Sequence, residues 1–241
     1  MNRRDLLAGL AFAGIEAEAQ THGGQPPVEE SLYIPKPHLV DDRRFLHDFM
    51  DEYAFVDLVT VAPTLRITHI PVFMDRAAGK YGTIYGHISR QNPQMAAFDG
   101  KQNGVVVFHG PHGYISPAWY APRANLVPTW NFGVVHATGK LRPVSERKPL
   151  DELLAKLIAK FENYQGTDYD FAKVDEKYKF GLMGGIIGFE LEIELLEGKF
   201  KLGQDRSVED KKSMLAKLGG AKTQPTLAEF TAKFFERQAR A

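Results

Sequence analysis

Between Gly188 and Gly198 lies the segment that most limits what this chain can fold into. Phe189, Leu191, Ile193 and Leu195 alternate with Glu190, Glu192 and Glu194. A period of two puts the apolar side chains on one face and the carboxylates on the other, which predicts a strand with one dry and one wet face. Residues 55–62, 66–74, 83–88, 104–109 and 129–141 are also rich in Val, Ile, Thr and aromatics, and Gly, Pro, Asn or Asp breaks each of them, as it does strands. The helical period appears elsewhere. Asp41 is placed to cap a helix carrying Phe45, Leu46, Phe49, Met50 and Tyr53 on one face. Leu150, Leu153, Leu154, Leu157, Ile158 and Phe161 repeat at i, i+3, i+4. Two short helices are expected to close the chain, with Ser207/Asp210 and Thr226/Glu229 as their capping boxes. The order helix, strands, helix, long strand, two helices is not a regular strand–helix alternation. It argues against a doubly wound sheet and for an α+β barrel with peripheral helices.

The 241 residues suffice for one sizeable core. Cysteine is absent, which removes disulfides, thiolate-held metals and cysteine nucleophiles. Thirty Lys and Arg balance thirty Asp and Glu, so no overall field draws the chain to nucleic acid. Residues 199–241 carry ten basic against five acidic side chains, which leaves DNA contact open but reads better as a solvated amphipathic tail. No apolar run is long enough to span a bilayer, so no integral membrane segment is expected.

At the start, Arg3 and Arg4 precede an apolar stretch from Leu6 to Ile15, followed by Ala17-Glu18-Ala19. This is the pattern of a twin-arginine export signal and implies a periplasmic destination. The alternative is an amphipathic helix on a cytoplasmic protein, for which Glu16 and Glu18 count. The expected organisation is a signal-like segment and linker over 1–30, a folded domain over 31–220 and a C-terminal helix over 221–241.

Several familiar motifs fail. The glycines of 181–188 precede the alternating strand instead of following one, so they suit a tight turn and not a dinucleotide fingerprint. Neither a P-loop nor a G-x-S-x-G elbow occurs. His109 and His112 are separated by Gly110-Pro111 and do not form a helical pair; with His69, His87 and His136 they lack local ligand spacing, and no metal site is expected.

Three blocks are dense in polar and aromatic groups at strand ends: Thr68-His69-Ile70-Pro71, residues 85–94, and residues 109–120 followed by 127–131. His-Ile-Ser-Arg at a strand exit suits an anion, because Arg offers a planar fork of donors and Ser a hydroxyl. Trp130 suits a flat heteroaromatic ligand. A dimer interface gathers the same residue types, and a ligand lying between subunits reconciles the two.

Six stretches, in order, give the chain a family resemblance. They are Tyr33-Ile34-Pro35-Lys36, Thr68-His69-Ile70-Pro71, Gly86 to Gln94, Gly110 to Pro117, Val127 to Asn131, and Lys199 to Asp205. From about Tyr33 to Leu218 the sequence resembles the PaiB family, FMN-binding proteins described as negative transcriptional regulators. The resemblance implies an FMN-binding split β-barrel that pairs as a homodimer with flavin at the interface. By similarity to the wider split-barrel group, Arg90 is the first choice for the FMN phosphate, with Ser89 beside it and Asn92 opening the next turn. Thr68 and His69 are placed where the neighbouring strand meets the flavin, and His69, His87 and His109 are candidates to donate hydrogen bonds or protons. Trp130 offers an aromatic face, and Lys199, Lys201 and Gln204 complete the phosphate or ring contacts. Gln91, Met95, Gly203 and Asp205 depart from the family pattern, and Asp205 opposes a phosphate by charge.

Function stays open between a PaiB-like regulator, an FMN-dependent oxidoreductase, and a flavin carrier or sensor without turnover. No helix-turn-helix is legible, no catalytic base is assigned, and an export signal does not suit a regulator of transcription.

Overall fold

The computed structural model describes residues 29–120, 126–219 and 225–239. The export reading of Arg3, Arg4 and the Ala17–Ala19 exit lies outside them. Eight strands form one sheet: β1 (Leu39–Val40), β2 (Phe55–Thr60), β3 (Arg66–Pro71), β4 (Phe73–Asp75), β5 (Thr83–Ser89), β6 (Asn103–Ile115), β7 (Thr129–Val144) and β8 (Ile186–Lys201). Their order is β3-β2-β6-β7-β8-β5-β4, and β1 pairs with the far end of β8. All pairs are antiparallel. The helices are α1 (Arg43–Glu52), α2 (Arg147–Gln165), α3 (Glu176–Met183), α4 (Val208–Gly219) and α5 (Pro225–Gln238). This is the expected α+β architecture, a curled half-barrel with peripheral helices.

Bulges let strands as long as β6, β7 and β8 curl instead of lying flat. The β6–β7 register shifts between His109 and His112, and the β7–β8 register shifts between Thr138 and Gly139. At the second shift the chains come so close that a Cβ on Gly139 would lie 2.0 Å from the Glu192 carbonyl oxygen, so only glycine fits. The same shift corrects one expectation. Gly139 faces Ile193 but Thr138 faces Leu195, which leaves Glu194 without a partner on β7. Adjacent residues of a strand point to opposite faces, so Leu195 leaves the face shared by Phe189, Leu191 and Ile193.

The inner face of the sheet carries Leu58, Val106, Phe108, Val135, Leu141, Phe189, Leu191 and Phe200, all buried. α1 and α5 close it with an aromatic cluster. Phe49 meets Phe200 edge-on at 5.1 Å, and Phe234 stacks on Phe200 at 5.7 Å. The outer face is divided. Leu150, Leu153, Leu154 and Leu157 of α2 pack with Phe73, Tyr85, Val144 and Ile186, covering β4, β5 and the start of β8. The rest of that face, across β3, β2, β6 and β7, carries no helix and leaves Phe55, Ile67, Tyr114 and Trp130 exposed.

Local details refine the sequence reading. Asp42, not Asp41, caps α1, accepting from the Phe45 amide at 3.0 Å. The expected strand over 66–74 is two strands, because the Val72 amide turns aside to the Ala54 carbonyl. The glycine run does form a turn, between α3 and β8. Ser207 accepts from the Asp210 amide as a cap should, at 3.1 Å. α5 begins at Pro225, so Thr226 sits inside its first turn and is not the cap. α3 was not legible in the sequence; Asp175 caps it through the Tyr178 amide at 2.8 Å.

Candidate functional site

Two neighbouring strand exits build the polar end of the site. β5 ends at Ser89, whose hydroxyl accepts from the Gln91 amide at 3.1 Å. The Arg90 amide donates to the Gly185 carbonyl at 2.9 Å, which ties the exit of β5 to the turn before β8. Asn92 then caps a short 3-10 turn through the Gln94 amide and donates through Nδ2 to Thr68 Oγ1 on β3, at 2.9 Å. Thr68 in turn donates to Gln94 Oε1. Gln94 is buried to 1% exposure, and its Nε2 donates to the Leu58 carbonyl at 2.9 Å and to Thr60 Oγ1 at 3.2 Å. This lock fixes Thr68, Asn92, Ser89 and Arg90 as one group, with the Arg90 side chain exposed beyond it.

His69 is on the reverse face of β3. Its Nδ1 donates to Asp57 Oδ1, and Asp57 Oδ2 accepts from His109 Nε2 at 2.9 Å. Burial pushes the Asp57 carboxyl up, but the two imidazole hydrogen bonds outweigh it and hold the group below its usual range. His109 also lines a hollow of about 320 Å³ with His112, Trp130, Phe132 and Val134. The His69–Asp57–His109 row therefore runs along the uncovered face into a hollow walled by an aromatic plane.

Other candidates lie apart. His87 points to the face of β5 that α2 covers. Its Nδ1 is buried with no partner among the described residues, and burial lowers its pKa. Lys199, Lys201 and Trp130 sit at the far end of the long strands, since Phe132 pairs with Lys201 whereas Ser89 pairs with Ile186. Ile186 and Lys201 bound the sixteen residues of β8, about 50 Å of strand contour. Lys199 Nζ donates to the Tyr33 carbonyl at 2.7 Å, and Lys201 Nζ to Thr129 Oγ1. Gln204 spends its amide on the backbone: it accepts from the Leu202 amide at 2.8 Å and donates to the Pro37 carbonyl at 3.0 Å. Its place is that of a turn-builder. One chain thus brings Thr68, Ser89, Arg90 and Asn92 together, sets His69 behind them, and leaves Trp130, Lys199, Lys201 and Gln204 at the other end. Sequence reasoning missed Asp57 and Gln94. The signal for Asp57 is a carboxylate inside the apolar strand Phe55–Thr60; Gln94 closes the stretch Gly86 to Gln94, but nothing local marks it as buried.

The donor set fits the parts of FMN separately. An exposed arginine at a hydroxyl-rich strand exit suits a phosphate, and a shallow apolar hollow beside Trp130 suits a flat ring. Among the described residues, no group of three or more His, Asp or Glu is placed to hold a metal. No helix there is long and apolar enough to cross a membrane.

Comparison with known proteins places the chain in a family. The chain matches the family described as "Putative FMN-binding domain" over residues 32–195. It is 33% identical over 188 residues to the protease synthase and sporulation protein PAI 2 of Bacillus subtilis (strain 168), covering 78% of this chain and 89% of that protein. Among solved structures, the flavocytochrome Anf3 from Azotobacter vinelandii matches with a TM-score of 0.53 at 13% identity, over 73% of this chain and 76% of that one. That last likeness is one of fold.

Proposed function

Because the chain belongs to the PaiB-like FMN-binding family, whose cofactor is FMN, we propose that it works as a homodimeric redox flavoprotein. One observation carries this reading. The uncovered face of the sheet holds both the His69–Asp57–His109 row and the Trp130 hollow, and its exposed Phe55, Ile67, Tyr114 and Trp130 suit burial against a second copy. The separation of the Arg90 and Trp130 ends along β8 supports it, since a second chain can supply the ring contacts that Arg90's own chain holds far away.

When bound, FMN supplies the electron-transfer chemistry. The work of the chain is to hold and to protonate. Arg90 and Ser89 take the phosphate; Trp130 and Phe132 exclude water from the ring; His69 and His109, oriented by Asp57, are the groups placed to give or take a proton. A role in transcription rests on the PaiB resemblance, and the described residues add no DNA-reading element to it. The Arg3-Arg4 signal adds a periplasmic destination to the proposal, to be tested by fractionation of the host and N-terminal sequencing.

The test is fluorescence titration with FMN, run beside sedimentation equilibrium, on the full chain and on Arg90→Ala and Trp130→Asp. Arg90→Ala is expected to weaken FMN by roughly tenfold or more. Trp130→Asp is expected to shift the protein towards single chains and to lose FMN with them. Reduction of bound FMN by a nicotinamide cofactor, with turnover, supports the redox assignment. A single chain that keeps full FMN affinity overturns the dimer, and salt-dependent DNA binding without turnover restores the regulator.

A further inference from the structure

A second arginine faces the same cleft as Arg90. Arg147 opens α2, and its guanidinium carbon lies 3.3 Å from the centre of the Phe180 ring on α3. Stacking on an aromatic face fixes the plane of the fork and leaves its edge N–H groups free to donate. Arg90 from the β5 exit, Ser145 and Arg147 from the β7–α2 connection, and Phe180, Met183 and Gly184 line one cleft of about 320 Å³. The bond from the Arg90 amide to Gly185 holds two of these walls together.

The charges in this cleft are unbalanced. Arg76, Arg142 and Arg237 pair with carboxylates, whereas Arg43, Arg44, Arg66 and Arg206 do not pair with one among the described residues. Among the described residues neither Arg90 nor Arg147 forms an ion pair. Two guanidiniums facing one hollow repel each other until an anion lies between them. A group with several oxygens and more than one negative charge meets both forks and the Ser145 hydroxyl at once.

We propose that this cleft is a phosphate monoester site in which Arg147 and Ser145 join Arg90 as ligands of the FMN phosphate. It rests on the reading of Arg90 given above and adds two residues that neither the family resemblance nor the sequence pattern assigned. The chemistry is shared by a free phosphate and by other phosphate monoesters, so the experiment separates them.

The probes are FMN, riboflavin (the same ring and chain without the phosphate) and inorganic phosphate, titrated calorimetrically into the full-chain protein. The variants are Arg147→Ala, Arg147→Lys and Arg90→Ala. The unaltered protein is expected to prefer FMN over riboflavin, with inorganic phosphate competing against FMN. Arg147→Ala should lower FMN affinity by roughly tenfold or more, keep riboflavin affinity, and abolish the competition. Arg147→Lys keeps the charge without the planar fork and should recover part of the loss. Retained riboflavin binding also reports that the variant is folded. If Arg147→Ala leaves the FMN-to-riboflavin preference intact while Arg90→Ala removes it, the inference fails and the function proposed above stands. If neither variant changes it, both fail. If inorganic phosphate binds through Arg147 in a protein that ignores FMN, the FMN assignment falls and the cleft serves another phosphate monoester.

Discussion

Asp57 accepts a 2.9 Å hydrogen bond from His109 across the β2–β6 pair, although fifty-two residues separate them in the chain. The same carboxylate takes His69 from the opposite strand, so one acid on β2 orients two imidazoles on its neighbours. The side chains are partly open to water, with Asp57 at 29% and His109 at 51% exposure, so the pair is worth little to stability. A double-mutant cycle with Asp57→Asn and His109→Gln should give a coupling of about 0.5–1 kcal/mol in urea unfolding. A coupling of zero would mean that solution scatters the contact.

Gln94 should matter far more. Its amide satisfies the Leu58 and Arg66 carbonyls and the Thr60 hydroxyl, and it accepts from Thr68. Gln94→Leu keeps the volume and strands these groups, which should cost about 2–4 kcal/mol. Chemical denaturation checks it, and a loss under about 1 kcal/mol would show that water takes over the bonds.

Gly139→Ala should be among the most damaging small changes. The added carbon would meet a carbonyl oxygen of β8, and backbone cannot swing aside as a side chain can. A loss of about 3 kcal/mol or more is expected, with a lowered melting temperature in thermal unfolding.

Acid should weaken the fold through two half-buried histidines. Burial lowers the pKa of His87 and, with smaller opposing help from Glu197, that of His136. Below the unfolded value of 6.5 the unfolded chain binds protons that the folded chain refuses, so stability is complete above it and declines as pH falls towards the folded values. Asp57 contributes in the opposite region, losing its share only below 3.8. The urea midpoint should therefore fall between about pH 7 and pH 5, and His87→Gln should flatten that decline. A midpoint independent of pH over this span would contradict the burial of His87.

What the sequence disclosed follows from what repeats locally. The leucines of α2 keep the helical period because one face is buried all along, and Phe189, Leu191 and Ile193 keep the strand period for the same reason. Ser89, Arg90 and Asn92 were legible as a strand exit because they are contiguous. Asp57 was not, since its partners are fixed by strand register, which leaves no trace in spacing. Arg147 reads as an ordinary helix start until Phe180, thirty-three positions on, lies under it. Lys199 and Lys201 share one face of an extended segment, as their spacing predicts, but nothing local says that Lys201 lies fifteen residues of strand away from the Arg90 end.

Glu194 has a consequence beyond its own position. Before it, the odd-numbered residues of β8 point inward, and after it the even-numbered ones do, as buried Ile193 and buried Phe200 show. The unpartnered residue acts as a parity switch on a single strand. Deleting it would set Leu195 directly after Ile193 and give strict alternation from Ile187 to Lys201, with Phe200 still turned to the aromatic cluster and both lysines still turned away from it. The side chain at 194 is then secondary to its mere presence: the extra residue supplies the bend that curls the sheet, while the register on either side of it keeps Phe200 in the core.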